Sequence, residues 1–466
     1  MKTVFNRLKD ISINITDGVH NTVVDDSFGD CFLLSAKNIK NGLINFDSSD
    51  RKINNQVRQK LNKRTKMSIG DVLFTTVGTL GETALVDENC SKYEFQRSVA
   101  IIKPNREKIN NRYLYYLLKS NSYNYYFKSI ATGAAQPCIF IGNLAKTKLK
   151  YFEDINYQKR IADILSTYDE LIENNNKRIK ILEQMAENLY KEWFVRFRFP
   201  GHETTEFENG LPKGCEVKRL GEFGVSLDSG SRPKGGIDDT LTEGIPSLGA
   251  EAIGDLAQFD YSSVKYIPHK FYDKMKRGKF DGNAILVYKD GAYIGKTTIF
   301  RNKFPFENFA ANEHVFLMKV SNFVYQNYLY FTLHQKEYFW MMQNLNRNAA
   351  QPGLAQPDIK RIKITVPDET IVKKFNELIE PIFEEVFQLA KANRNLVQQR
   401  DMLLPRLMIG KLEVCEKKEK VLEFKPKKTF VEFKNEFKAA ARKDGGLTDQ
   451  DMEELYKAYC DDSLDE

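Results

Sequence analysis

The chain has 466 residues, 42% hydrophobic and 29% charged, which is enough apolar material for more than one core and sets a prior of about three domains. It holds no run of 18 apolar residues, and its start, MKTVFNRLKDISINITDG, has neither an apolar segment nor a small-residue cleavage site, so neither a membrane span nor a secretory signal is expected. The formal charge is +7, yet residues 413–466 carry 15 acids against 11 bases, leaving the body ahead of them more basic than the total and suited to a polyanionic partner. Six cysteines at 31, 90, 138, 215, 415 and 460 show no CxxC and no His at ligand spacing, which fits a reducing cytoplasm and argues against zinc.

Residues 1–155 read as a strand-rich domain. Short apolar-polar runs (CFLLSAKNI, DVLFTTVG, ETALVD, SVAIIKP) are separated by Gly, Asn and Asp. One helix is expected near Asn110–Lys128, its aromatics at helical spacing facing a core. A polar loop, ATGAAQPCIFIG, and a last strand, TKLKYF, lead into the first long helix, placed at 156–198.

That helix carries a heptad seam: Ile161, Leu165, Tyr168, Ile172, Asn175, Ile179, Leu182, Ala186, Leu189 and Trp193. The join FRFPGHETTEFENGLPKGCEVKRL, rich in Pro and Gly, follows. Residues 199–367 then repeat the first domain at an offset of about 212 to 215. GNAILVYKDGAYIGKTTIF answers GDVLFTTVGTLGETALV, NEHVFLMKV answers QRSVAIIKP, and Ala349-Ala350-Gln351-Pro352 repeats Ala134-Ala135-Gln136-Pro137. A second seam fills 368–412: Phe375, Ile379, Ile382, Val386, Leu389, Asn393, Leu396, Arg400, Leu403 and Leu407. The remainder, 413–466, is a charged C-terminal extension in which Thr448 and Asp451 suggest the start of a short helix.

Set head to tail, Ile161 against Leu407, the two seams bring their only asparagines, Asn175 and Asn393, into one layer. A lone Asn there would bury an unpaired amide at about 1–3 kcal/mol, whereas two in register bond each other and fix the register. The same alignment sets Tyr168 against Arg400 as a cation–π pair. Pro381, which lacks a backbone donor, should kink the second helix. The paired region would run roughly 50 Å. The competing arrangement packs each helix on its own domain.

No catalytic constellation stands out. Gly291-Ala292-Tyr293-Ile294-Gly295-Lys296-Thr297 has three residues between its glycines where a phosphate-binding loop needs four, and Asp290 precedes it; a turn between strands is expected. There is no Pro-Pro pair of the kind a base methyltransferase uses to grip a flipped base. The five histidines are scattered, without HExxH, GxSxG or a Cys-His pair. The chain reads as a binding protein.

QKRIADILSTYDELIENNNKRIKILEQMAENLYKEWFVRF, RDMLLPRLMIGKLEV, the duplicated AAQP loop and the strand-turn pair around Gly291 closely resemble type I restriction–modification specificity (S) subunits over residues 1 to about 413. The resemblance implies an α+β fold in which two similar strand-rich target-recognition domains are separated by two long antiparallel coiled-coil helices, a pseudo-two-fold repeat. Each domain would read one half of a bipartite double-stranded DNA target, while the helices set the spacer and dock two modification (M) subunits. Those subunits would bind S-adenosylmethionine and methylate adenine, and restriction (R) subunits, with ATP and Mg, would join for cleavage. The chain itself would hold no cofactor or metal, and the assembly would be cytoplasmic. Polar side chains on the loops are the candidates for DNA contact: His20, Asn21, Lys37, Asn38, Thr79 and Arg97 in the first domain, and Ser231, Arg232, Lys234, Glu251, Tyr293, Lys296 and Arg347 in the second. Gln136 and Gln351 would either touch DNA or brace their turns. The alternative reading is a coiled-coil adaptor with two protein-binding domains.

Overall fold

The computed structural model describes residues 1–414 except 134–135, 239, 292 and 347–352. Among them the chain forms two compact units, one of Met1–Leu171 with the segment beginning at Leu396, the other of Ile172–Asn395.

In the first unit the strands are β1 (Thr3–Arg7), β2 (Ser12–Asp17), β3 (Cys31–Leu34), β4 (Lys52–Ile53), β5 (Val72–Thr75), β6 (Thr83–Leu85), β7 (Tyr93–Phe95), β8 (Val99–Pro104) and β9 (Lys148–Phe152). They form a four-stranded sheet in the order β2-β8-β5-β6, a three-stranded sheet β4-β3-β7 and a pair β1-β9. The helices are α1 (Asn55–Thr65), α2 (Asn111–Lys119), α3 (Asn121–Ile130) and α4 (Ile141–Lys146) before the long α5 (Ile155–Tyr190).

The second unit repeats these three sheets. Its strands are β10 (Glu216–Arg219), β11 (Val225–Asp228), β12 (Ile245–Leu248), β13 (Lys265–Ile267), β14 (Asn283–Tyr288), β15 (Thr297–Arg301), β16 (Ala310–Ala311), β17 (Val315–Val320) and β18 (Lys363–Val366). They give the sheets β11-β17-β14-β15, β13-β12-β16 and β10-β18. Helices α6 (His269–Lys274), α7 (Gln326–His334), α8 (Lys336–Asn344) and α9 (Gln356–Arg361) precede the long α10 (Glu369–Met408). β3–β7 and β12–β16 are the parallel pairs; each central sheet is antiparallel. Central strands β8 and β17 are almost wholly buried and read VAIIKP and VFLMKV, as strands covered on both faces should.

The single helix expected near 110–128 is two. Asn110 caps α2 by accepting from the Tyr113 N–H at 3.0 Å, and Ser120, in extended conformation, ends it before α3 begins. Gln335 breaks α7 from α8 in the same way. The aromatics of α2 are buried as expected, but Tyr125 on α3 and Trp340 on α8 are 79% and 62% exposed.

In the second unit α5 and α10 run antiparallel. Ile179, Ala186 and Trp193 share a core with Phe375, Ile379, Ile382 and Val386, and the Asn175 amide donates to Asn393 Oδ1 at 2.8 Å while Asn393 donates to Asn176 at 2.9 Å. Beyond Tyr190 the helix widens into a π-turn, Lys191–Val195, which lets Trp193 and Phe194 both bury against Phe375, at ring distances of 5.9 and 4.9 Å. In the first unit Ile161 and Leu165 share a core with Leu404 and Leu407.

One expectation fails here. Arg400 does not lie over Tyr168: its guanidinium is bound by Asp169 and, at 2.8 Å, by Asp401, because a buried guanidinium gains more from carboxylates than from a ring face. The helix stays continuous through Pro381, since α10 runs on to Met408. Pro381 and Glu377, whose carbonyl loses its donor, both face solvent, while Ile379, Ile382 and Phe383 are buried beside them. The orphaned carbonyl is on the exposed face, open to solvent, and the buried neighbours offset a helix penalty of about 3 kcal/mol.

Candidate nucleic-acid interface

Within each domain, backbone hydrogen bonds tie distant loops into one cluster at the strand ends. In the first domain the Gln96 N–H donates to Leu34 O (2.8 Å), Arg97 N–H to Val19 O (3.0 Å), Thr76 N–H to Ser98 O (2.9 Å) and Ile139 N–H to Thr76 O (2.9 Å). Val77 bridges Cys138, and the Ala36 N–H donates to Ser98 Oγ at 3.0 Å. Gly18 is obligatory: a Cβ there would stand 2.1 Å from the Phe95 carbonyl.

The second domain repeats four of these six ties. Asn312 N–H donates to Leu248 O (2.9 Å), Lys289 N–H to His314 O (3.0 Å) and Leu354 N–H to Lys289 O (2.9 Å), and Asp290 bridges Gly353. Gly230 meets Ala311 as Gly18 meets Phe95, with a Cβ at 1.8 Å from the carbonyl. β14 and β15 pair as a hairpin and Tyr293–Gly295 form a turn between them, not a phosphate loop.

The clusters gather most of the expected residues. His20, Asn21, Lys37, Thr79, Arg97 and Gln136 are exposed on the tied loops of the first domain; Ser231, Arg232, Lys234, Glu251 and Tyr293 are exposed in the second, and Lys296 is half-buried at the turn base. His20 Nε2 lies 2.7 Å from Asp17, and Lys37 pairs with Asp50 at 2.8 Å. Asn38 must be struck from the set. It is buried, receives the Ser35 N–H (2.9 Å) and donates to Asn45 O (2.9 Å) and Asp50 (3.1 Å), so its amide is fully engaged in holding its own loop. Arg347 and Gln351 lie outside the described residues.

The sequence missed a charged network in the second domain. Arg232 donates to the Glu313 carboxylate and to His314 Nε2 (2.6 Å), and His314 Nδ1 faces Asp290 at 3.3 Å. With Arg232 donating to Nε2, the imidazole proton belongs on Nδ1, toward Asp290. Lys289 adds its ammonium to the Glu313 carbonyl at 2.8 Å. Hydrogen bonding to Glu313 raises the Arg232 pKa, and although burial opposes the charge of Glu313, Arg232 and His314 hold its carboxyl below the usual range. The signal was the sequence NEH standing where the repeat has QRS, visible only once β8 and β17 are aligned.

Elsewhere, Glu183, Glu187 and His334 bring ligand-type atoms within 4.8 Å of one another. Burial lifts Glu183 to about 7. It accepts from the Leu256 N–H at 3.3 Å, Glu187 pairs with Lys191 at 3.1 Å, and His334 Nδ1 lies 3.2 Å from the Thr297 carbonyl. Each has a partner within the protein, and the group braces α5 on the second domain.

The family of the type I restriction modification DNA specificity domain matches residues 28–184 and again 212–397. The chain belongs to this family. It is similar to the type I restriction enzyme MjaIX specificity subunit of Methanocaldococcus jannaschii, 29% identical over 366 residues that cover 74% of this chain and 78% of the relative. The HindI specificity subunit of Haemophilus influenzae is 21% identical over 418 residues, covering 74% and 86%. A crystal structure of a type I S subunit from M. genitalium shares the fold at a TM-score of 0.51, with 17% identity, 87% of this chain and 96% of that one covered. The chain is thus a specificity subunit, the non-catalytic DNA-recognition member of a restriction–modification system, with DNA and modification and restriction subunits as the partners its membership implies. No described helix is long and apolar enough to cross a membrane.

Proposed function

We propose that the domains at 1–155 and 199–367 each read one half of a split DNA target, and that the helices at 156–198 and 368–412 set the unread gap and dock two modification subunits. The observation that carries this reading is the duplicated loop cluster. Two domains of one topology each hold polar side chains from at least four separated segments at one end of a buried sheet, the disposition that reaching several base edges requires. The methyl donor would belong to the modification subunits, ATP and Mg to the restriction subunits, and the assembly to the cytoplasm. The extension at 413–466 has no part in this assignment.

Genome-wide adenine methylation, mapped by long reads in cells producing this chain with its neighbouring modification subunit, tests it. A split motif with a fixed gap is expected, and exchange of one domain should change one half alone. An assembled complex that leaves no new methylated motif would sink the reading and favour an adaptor that grips proteins.

A further inference from the structure

The matched backbone ties pair residues between the two domains. Gln96 and Asn312 donate to Leu34 and Leu248, and Thr76 and Lys289 donate to Ser98 and His314. Arg97, between Gln96 and Ser98, and Glu313, between Asn312 and His314, are therefore the same position with opposite charge. Gly18 and Gly230 make the same close approach to Phe95 and Ala311, so two residues further on His20 and Arg232 are also equivalent. The first domain thus has histidine then arginine at positions where the second has arginine then glutamate. In the second domain the arginine bonds the glutamate, which brings the Arg232 guanidinium against position 313, next to the place from which Arg97 extends in the first.

We propose that each domain presents one guanidinium to DNA at the same place from exchanged positions, Arg97 in the first and Arg232 in the second, that each reads a guanine in its own half-site, and that Glu313 and His314 are positioning residues for Arg232. Arg97 is exposed, and only its backbone is engaged among the described residues, so its donor fork is open. Arg232 has its Nε and Nη2 engaged by Glu313 and His314, which leaves the two N–H groups of Nη1. Guanine, with O6 and N7 acceptors on its major-groove edge, is the base that guanidinium donors select. Holding Arg232 in advance removes side-chain freedom that would otherwise be lost on binding. One Glu313 carboxylate oxygen is taken by Arg232 and the other is buried, so neither is offered to a base.

This rests on the half-site reading, and one experiment separates the two. The complex of the full chain with its modification subunit is assayed for S-adenosylmethionine-dependent methylation of a randomised DNA library. The wild type should yield a split motif with a guanine in each half. Arg97→Lys and Arg232→Lys keep the charge but lose the fork. Each should relax one guanine, in opposite halves, by roughly 5- to 150-fold, with other positions unchanged. Glu313→Gln should relax the same guanine as Arg232→Lys and add little in the Arg232→Lys background; where it lowers assembly, Glu313→Asp gives the same readout. A split motif lacking guanine in either half overturns the proposal, as do lysine variants that weaken all sequences alike or a Glu313→Gln effect that adds fully to Arg232→Lys. A wild-type complex without any split motif overturns the half-site reading instead.

Discussion

The first domain buries Glu94 where the second buries Ala310, and exposes Arg97 where the second folds Glu313 into a network, inside backbones that share most of their loop ties. Pleat, register and glycine contacts decide the frame, and those depend on the alternation of apolar residues and on a few positions where no Cβ fits. Side chains at the loop ends are outside that constraint, so duplicated frames can carry different recognition surfaces. Glu94 shows that divergence also reaches the interior. Its carboxyl group lies 3.2 Å from the hydroxyl of Thr65 on α1, an eleven-residue helix whose counterpart α6 has six residues.

The helix pair gives the sharpest test of how different the units are. In the first, Arg400 is buried between Asp169 and Asp401, and Asp169 also accepts from the Tyr116 hydroxyl at 2.6 Å. Burial opposes the Arg400 charge, but the two aspartates outweigh it and raise its pKa. In the second, Arg178 and Glu385 pair at 2.5 Å in a more exposed setting. Asp169→Ala should cost the first unit about 1–3 kcal/mol, because it leaves the buried Arg400 with Asp401 alone and takes the acceptor from the Tyr116 hydroxyl, whereas Glu385→Ala should cost the second under about 1 kcal/mol. Hydrogen exchange of the full chain reads the units separately; equal losses would show that burial does not distinguish the pairs.

Glu94 sharpens the contrast through pH. Burial lifts its carboxyl from near 4.5 to about 7, with Thr65 pulling the other way. Between those values the folded state holds a proton that the unfolded state has lost, so the first domain loses stability as pH rises from about 4.5 to 7 and stays lower above, by up to about 3 kcal/mol. Glu94→Gln should remove that slope and raise first-domain stability at pH 8, while the second domain, with Ala310, keeps its own profile. Denaturant unfolding at pH 5 and pH 8 checks this; an unchanged slope in the variant would assign the dependence to another group.

The frame was largely legible in the sequence because its causes are periodic or repeated. Heptad stepping located α5 and α10, and the offset of the repeat located the second domain. What failed was local or three-dimensional. Extended Ser120 splits a helix whose aromatic pattern runs on past it. Arg400 prefers Asp169, one residue off the seam, to the ring that seam stepping set opposite it. Asn38 looked like a base reader because Asn is one when exposed, and only its burial shows that it braces a turn. The Arg232 network joins residues some eighty positions apart, and no spacing rule announces such a pair.

The asparagine layer carries the smallest expected effect and the most specific one. Asn175 Nδ2 reaches Asn393 Oδ1, and Asn393 Nδ2 reaches Asn176, so each amide is held by the opposite helix. Asn175→Leu leaves the Asn393 oxygen facing a methyl group, and Asn393→Leu strands Asn175; either should cost about 1–3 kcal/mol, toward the lower end because the layer is only partly buried. Replacing both removes the stranded group and extends the apolar seam, so the double variant should lose less than the sum and can exceed the wild type. If the pair sets register, the cost of the double variant appears elsewhere: helix pairing becomes tolerant of slips, and the spacing of the methylated motif should broaden while affinity for each half is kept. Additive losses with an unaltered motif would mean that the apolar layers on either side already fix the register and that the two amides only satisfy each other.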